Sequence, residues 1–330
     1  MVNPFLPKVA FTHPGFPGVE PKGACWWYRT ELPRRYLESK GWPIASSLDQ
    51  ARIVHVARSC SKPYLEVIRR LKDDGKKVVY ETDDDYWSPP PVATKKDQAE
   101  YLEIINETIS YCDAVIVTTQ PLANTVLEVT GKPTYVAPNF LCTKSWGSPV
   151  KLPDLGQKPL LLASGSNSHF KDFQILADIA RAPGMQRFQF VVWGNEKFRH
   201  IIPGSIWLKP VDLVGYFGSL RSLGKLSNTM GVVPLEDTLF NQSKSKLKWM
   251  EYTYAGIPGI YSNLAEYPGH ANCVVPGGAT AKQWAERIID AYERRQEILG
   301  RDNQRLTEVG YMDTGVEYWE NAFLKIANTK

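Results

Sequence analysis

At 330 residues, 43% of them hydrophobic and 22% charged, with no low-complexity tract, the chain is expected to fold as two globular domains rather than one. A formal net charge of +4, spread over both halves, is too small to advertise a dedicated nucleic-acid-binding surface. No apolar run reaches the roughly eighteen residues of a membrane span, the start "MVNPFLPKVAFTHPG" lacks a signal-peptide pattern, and five scattered Cys without a C-x-x-C pair exclude a zinc or disulfide framework, so a cytoplasmic protein with reduced thiols is expected.

Short apolar, β-branched runs then alternate with longer amphipathic ones. Strands are predicted at "KVAFTH", "ARIVHVA", "KKVVYET", "DAVIVTT" and "PTYVAPN", with helices between them at "TELPRRYLESKG", "KPYLEVIRRLKDDG", "DQAEYLEIINETISYC" and "QPLANTVLEVTG". In "YLEVIRRL", Leu65, Ile68 and Leu71 recur at helical spacing, which leaves Arg69, Arg70 and Lys72 on a solvated face. The loop "HPGFPGVEPKGAC" carries Gly15, Gly18 and Gly23, which let a backbone pass close to a ligand. It is not a P-loop, because Ala24 stands where the phosphate-binding Lys belongs. Arg29 follows Trp26, Trp27 and Tyr28 at the start of the next helix and is the expected ligand-facing residue there.

The third strand runs straight into "DDDYW". Adjacent carboxylates at a strand end can hold a divalent metal, bind an acceptor hydroxyl, or pair with a neighbouring Arg such as Arg29. Asp84, Asp85 and Trp87 are the candidates for contacting a ligand at this strand end, Trp87 by its flat ring face.

The alternation pauses at "CTKSWGSPVKLPDLGQKP", a Pro-, Gly- and Ser-rich linker, and restarts with strands at "LLLASGS", "FQFVVWGN", "IWLKPV", "GVVPL" and "GIPGIYS" and helices near 171–182, 246–255 and 280–298. Strands alternating with helices imply parallel sheets. The predicted architecture is α/β, two Rossmann-like doubly wound domains facing a cleft. The first covers 1–148, the second 149–311, and residues 312–330 form a last amphipathic helix that can pack back on the N-terminal domain. Ligands of such sheets bind beyond the carboxyl ends of the strands. No G-x-G-x-x-G, G-x-S-x-G or H-x-x-x-H motif is present, which excludes a dinucleotide fingerprint, a nucleophile elbow and a zincin.

The chemistry is concentrated in "GVVPLEDTLFNQSKSKLKWMEYTYAGIPGIYS". A helix is predicted from about Ser245, capped by Ser243 or Ser245 and ended by Gly256. Lys244, Lys248 and Glu251 then fall at i, i+4 and i+7 on one face. Lysines at a helix N-terminus make an anion site, and a carboxylate one turn further in suits a ribose diol. The same residues also read as a surface Lys–Glu pair. A second polar loop, "SGSNSHFKDF", offers Ser166, Asn167, Ser168, His169 and Lys171 to an anion at another strand end of the same domain, and two such loops fit a diphosphate.

With these pieces the second half resembles the donor domain of GT-B glycosyltransferases, in particular the large retaining group that uses nucleotide-diphosphate sugars. The matching segments are "GSNSHFKDFQILADIA", "FVVWGN" and a strand ending in Pro followed by a "K-S-x-x-K-x-x-E" helix and a "G-x-P" turn. The first half resembles the family more loosely, through "WWYRTELPRRYLESKG", the strand with "DDD-Y-W", and "AVIVTTQPLANTV". The resemblance implies that Glu251 binds the donor ribose and that Lys248 and Lys171 neutralise the diphosphate, with Ser166, His169, Lys244 and Ser245 beside them. It implies sugar transfer with retention to an acceptor held by the first domain, Arg29, Asp84, Asp85 and Trp87 being the candidates. The lysines supply the charge a metal would, so no metal and no cofactor beyond the nucleotide-sugar co-substrate is expected. Where the family often has a first Glu, this chain has Ser243, and the loop carries Glu236 and Asp237 instead, so the resemblance does not name the sugar. The expected acceptor is a glycan or lipid-linked glycan. The alternatives are a viral-type enzyme acting on hydroxymethylated DNA bases, for which Arg34, Arg35, Lys95 and Lys96 would supply a basic face, and a nucleotide-sugar epimerase or non-catalytic nucleotide-sugar binder.

Overall fold

The computed structural model describes residues 6–12, 23–58, 61–88, 95–209 and 211–329, without the side chains of 95–98. Gly15, Gly18, Cys60 and the side chains of Lys95 and Lys96 lie outside the described residues. The chain divides into two compact units: Met1–Cys142, Ser243–Ser245 and Tyr311–Lys330 form the first, Thr143–Gln242 and Lys246–Gly310 the second. The chain thus leaves the first unit at Cys142, the first residue of the Pro-rich linker, rather than at 148. The tripeptide Ser243–Ser245, expected in the donor domain, belongs to the first unit instead.

In the first unit five parallel strands, β1 (Val9–Thr12), β2 (Ile53–Ala57), β3 (Lys77–Thr82), β4 (Ala114–Val117) and β5 (Thr134–Val136), lie side by side in sequence order. From β2 onward, right-handed crossovers taken in one direction deposit their helices on one face. That face carries Val54, Val56, Val78, Tyr80, Val115 and Val117, and is covered by Ile68, Ile105, Leu122 and Val126 of the intervening helices. The opposite face, alternating in register along each strand, is covered by the first helical segment, Trp27–Ser39, and by the final helix, which pack on each other. It presents Phe11 and His55 to Trp319 and Phe323 of the final helix, Met312–Asn328.

In the second unit six parallel strands, β6 (Leu160–Gly165), β7 (Gln189–Gly194), β8 (Ile206–Leu208), β9 (Thr229–Val233), β10 (Gly259–Ser262) and β11 (Val274–Val275), lie in the order β11-β10-β9-β6-β7-β8. The chain steps outward from β6 to β8, returns to pair β9 with β6, and steps the other way. The reversal of strand order that defines a doubly wound sheet lies here, between β6 and β9. Phe173, Leu176, Trp284 and Ile288 from the helices Phe170–Arg181 and Ala281–Glu293 pack on Leu161, Val192, Met230 and Val232 of the strands.

Three helices differ from expectation. The segment predicted over 280–298 breaks at Arg294, and a separate helix runs Arg295–Val309. The helix expected from Ser245 begins at Leu247, with Lys246 before it and no side-chain cap; it ends as expected at Gly256, whose φ of 84° suits glycine. The helix Leu213–Gly224 is not among the predicted elements, since three glycines depress its local propensity. Tertiary contact overrides that cost: a Cβ on Gly224 would collide with the carbonyl oxygen of Ala255, so glycine allows the two helices to touch.

Candidate functional site

The carboxyl ends of β6 and β9, the strands at the reversal, frame a pocket in the second unit. Its lining includes Ser164, His169, Asp172, Val233, Pro234 and Lys248. Beyond β6 the chain makes a 3-10 turn, Asn167–His169, and enters the helix Phe170–Arg181. Gly165 permits this turn, because a Cβ there would stand 2.9 Å from both the His169 Cβ and the Phe173 ring. Lys248, half-buried on the helix Leu247–Ala255, reaches the same pocket as His169. A histidine and a lysine beside a polar strand end form a site suited to an anion.

Glu251 lies one turn beyond Lys248 and is 3% exposed. Its Oε2 accepts a hydrogen bond from the Tyr216 hydroxyl at 2.7 Å. Burial, then the charge of Glu251, pushes the Tyr216 phenol well above its ordinary range, so it stays protonated and acts as a donor. The Tyr216 ring lies 4.1 Å from that of Trp193, at the end of β7, and Tyr252 is held by a 2.8 Å bond to Ser164. The carboxylate is thus fixed from a neighbouring helix that the sequence did not reveal.

The other predicted donor residues are placed differently. Ser166 is exposed and hydrogen-bonds to Ser168 at 2.9 Å. Lys171 is exposed and does not line the pocket. Lys244 and Ser245 do not extend the Lys248–Glu251 helix face: Lys244 donates to Asp84 Oδ1 at 2.6 Å and Ser245 accepts from Asn139 at 3.0 Å, all within the first unit. Lys246 meets Glu266 at 3.7 Å and His270 at 3.2 Å. Burial lowers the pKa of Lys246, raises that of Glu266 and takes His270 down to about 4. Asp237 accepts from Gln242, and Glu236 contributes its backbone N–H to Asp172.

The aspartates of the first unit are held chiefly by a residue the sequence did not single out. Arg58, at the end of β2 with a positive φ of 50°, donates to Asp83 at 2.7 Å and to Asp84 at 3.0 Å. Asp85 is 1% exposed, and its Oδ1 accepts the backbone N–H groups of Trp87 and Ser88, an Asx-type turn that Asp is suited to make. Its burial raises its pKa in spite of these bonds. Trp87 is half-buried and donates to Asn106 at 2.9 Å. Among the described residues no group of three His, Cys, Asp or Glu side chains is arranged to hold a metal ion.

Arg29 requires correction. It has no exposed surface, its Nε is 2.5 Å from Glu81 Oε1, it donates to the Ala137 carbonyl at 2.7 Å, and Trp319 lies under its guanidinium. A group so enclosed is part of the core between the sheet and the final helix and presents nothing to an acceptor. Burial outweighs the Arg29 charge at Glu81 and pushes the carboxyl up to about 7.

No protein-family model matches the sequence, and no curated protein matches it. Solved structures do. The sucrose-phosphate synthase of Thermosynechococcus elongatus superposes with a TM-score of 0.69 at 13% identity, covering 97% of this chain and 99% of that one. HepE of Anabaena, solved with UDP-glucose, gives 0.66 at 10% identity over 97% of this chain and 99% of its own. TarM gives 0.59 at 12% identity, over 90% of this chain and 58% of its own. The fold is that of the GT-B glycosyltransferases. Two Rossmann-like parallel-sheet units in one chain accord with the architecture expected from the sequence.

Proposed function

We propose that the protein is a glycosyltransferase that moves a sugar from a nucleoside-diphosphate sugar to an acceptor hydroxyl, with retention and without a metal. The observation that carries this is the pocket at the β6/β9 reversal, which gathers His169 and Lys248 at two strand ends, with Glu251 one helical turn further on. In such sheets that position receives the phosphates of a nucleotide. In this reading Lys248 and His169 take the diphosphate and Glu251 the ribose diol, with Ser166 and Lys171 at the rim. The C1–phosphate oxygen bond breaks as the acceptor oxygen bonds to C1, and the acceptor's proton passes to the departing phosphate oxygen. Cationic groups preorganised around that oxygen stabilise the leaving charge and lower the barrier.

A uridine nucleotide is the first candidate donor, since HepE was solved with UDP-glucose and GtfA with UDP and GlcNAc. For the acceptor we retain a glycan or lipid-linked glycan. A DNA acceptor is less well supported: Arg34 and Arg35, two of the basic residues it would use, are both paired with Glu31 in the same helical region. Asp84 and Trp87 remain the acceptor-side candidates, both partly exposed.

The test is release of free nucleoside diphosphate from UDP-, GDP- and ADP-sugars with and without glycan acceptors. Release that depends on an acceptor supports transfer; release without one points to hydrolysis or epimerisation. No stabilisation by any nucleotide and no release from any donor would reject the reading.

A further inference from the structure

Asp172 has no part in the chemistry described above, yet it is the most heavily engaged carboxylate at the pocket. It is 5% exposed. Its Oδ2 bonds to His169 Nδ1 at 2.7 Å, and its Oδ1 accepts the Glu236 N–H at 2.8 Å and Asn241 Nδ2 at 3.1 Å. Asn241 Nδ2 also donates to the Glu236 carbonyl at 3.0 Å. One side chain in the first turn of the helix Phe170–Arg181 thereby joins the turn after β6 to the loop after β9, the two walls of the pocket.

We infer that Asp172 is a positioning residue for diphosphate recognition, acting through His169; this rests on the donor reading above. A carboxylate at Nδ1 determines which ring nitrogen holds that proton and how the ring is turned. It also stabilises positive charge on the ring when an anion enters the pocket, leaving Nε2 to donate. Lys248 and Asp172 are the charged groups that line the pocket with His169, so a carboxylate orients the ring and Lys248 is the other cation available to the anion. The bonds to Glu236 and Asn241 give Asp172 a structural duty as well, and the two duties separate experimentally.

The experiment compares the affinities of the di- and monophosphates of uridine, guanosine and adenosine for the wild type, Asp172→Asn, His169→Ala and the double variant. The pair that the wild type discriminates is the one used. The expected result is a loss of about tenfold for the diphosphate in Asp172→Asn, a loss under about twofold for the monophosphate, and no further loss when the substitution is added to His169→Ala. Equal losses for both ligands, no loss, or a full additional loss on the His169→Ala background would overturn the inference and leave Asp172 as a loop staple. A wild type with no preference for diphosphates would remove the donor reading and this inference together. Should Asp172→Asn not fold, nitrogen NMR of His169 in the wild type decides: a ring protonated at Nδ1 is expected, and a ring protonated at Nε2 alone would overturn the proposal.

Discussion

Tyr216 and Glu251, 35 residues apart, share a 2.7 Å hydrogen bond that ties the helix Leu213–Gly224 to the helix Leu247–Ala255. Removing the hydroxyl leaves a buried carboxylate short of a donor while the ring still packs on Trp193. Tyr216→Phe is expected to lose about 1.5–3 kcal/mol of stability and to weaken nucleoside-diphosphate binding. Urea unfolding with titration calorimetry reads both. Unchanged affinity in a destabilised variant would restrict the bond to a structural role.

Lys248 is half-buried and lines the pocket, whereas Lys171 is exposed outside it. Lys248→Ala should lower kcat by about 10²–10³ with little change in melting temperature. Lys171→Ala should have a much smaller effect. Normal turnover in Lys248→Ala would end its assignment to the leaving diphosphate.

Glu81 gives the stability a pH signature. Its carboxyl moves from an ordinary 4.5 up to about 7 by burial, with Arg29 and Arg58 opposing and Asp83 reinforcing the shift. Between those limits the folded chain holds a proton that the unfolded chain has released. Stability should therefore fall as pH rises from 4.5 towards 7, by at most about 1.4 kcal/mol per pH unit. Glu81→Gln should remove that slope. Denaturant unfolding of both chains at several pH values in this window checks it, and parallel profiles would refute the shift.

Asp83 and Asp84 are paired with Arg58, and Asp85 is spent on a turn, so none is arranged as the metal cluster an adjacent trio could form. Stabilisation by UDP should be the same with and without EDTA, as read by thermal shift. Asp84→Asn should cost no more than about 1 kcal/mol, since the pairs with Arg58 and Lys244 are partly solvated. If EDTA abolished the UDP effect, a divalent ion would have to be added to the donor site.

Much of this protein is determined by its sequence alone. The short, largely apolar runs at 53–57, 77–82, 114–117 and 160–165 become parallel strands because a strand covered on both faces is built mainly of apolar residues. That His169 and Lys248 lie near strand ends of one domain was legible because each belongs to a short segment whose local pattern places it there. Gly256 announced the end of its helix for the same local reason.

What tertiary structure decided was which distant polar group meets which. The aspartates take Arg58 rather than Arg29, since β2 and β3 are neighbours in the sheet and bring their carboxyl ends together. Arg29 is drawn into the core by Glu81, on the sheet face that its own helical segment shares with the final helix. Tyr216 reaches Glu251, and Asp172 reaches Glu236, only after β9 has returned to pair with β6. Periodicity records which face of an element is buried. The partner of a buried charge is set by strand order, and strand order is written in no single stretch of the chain.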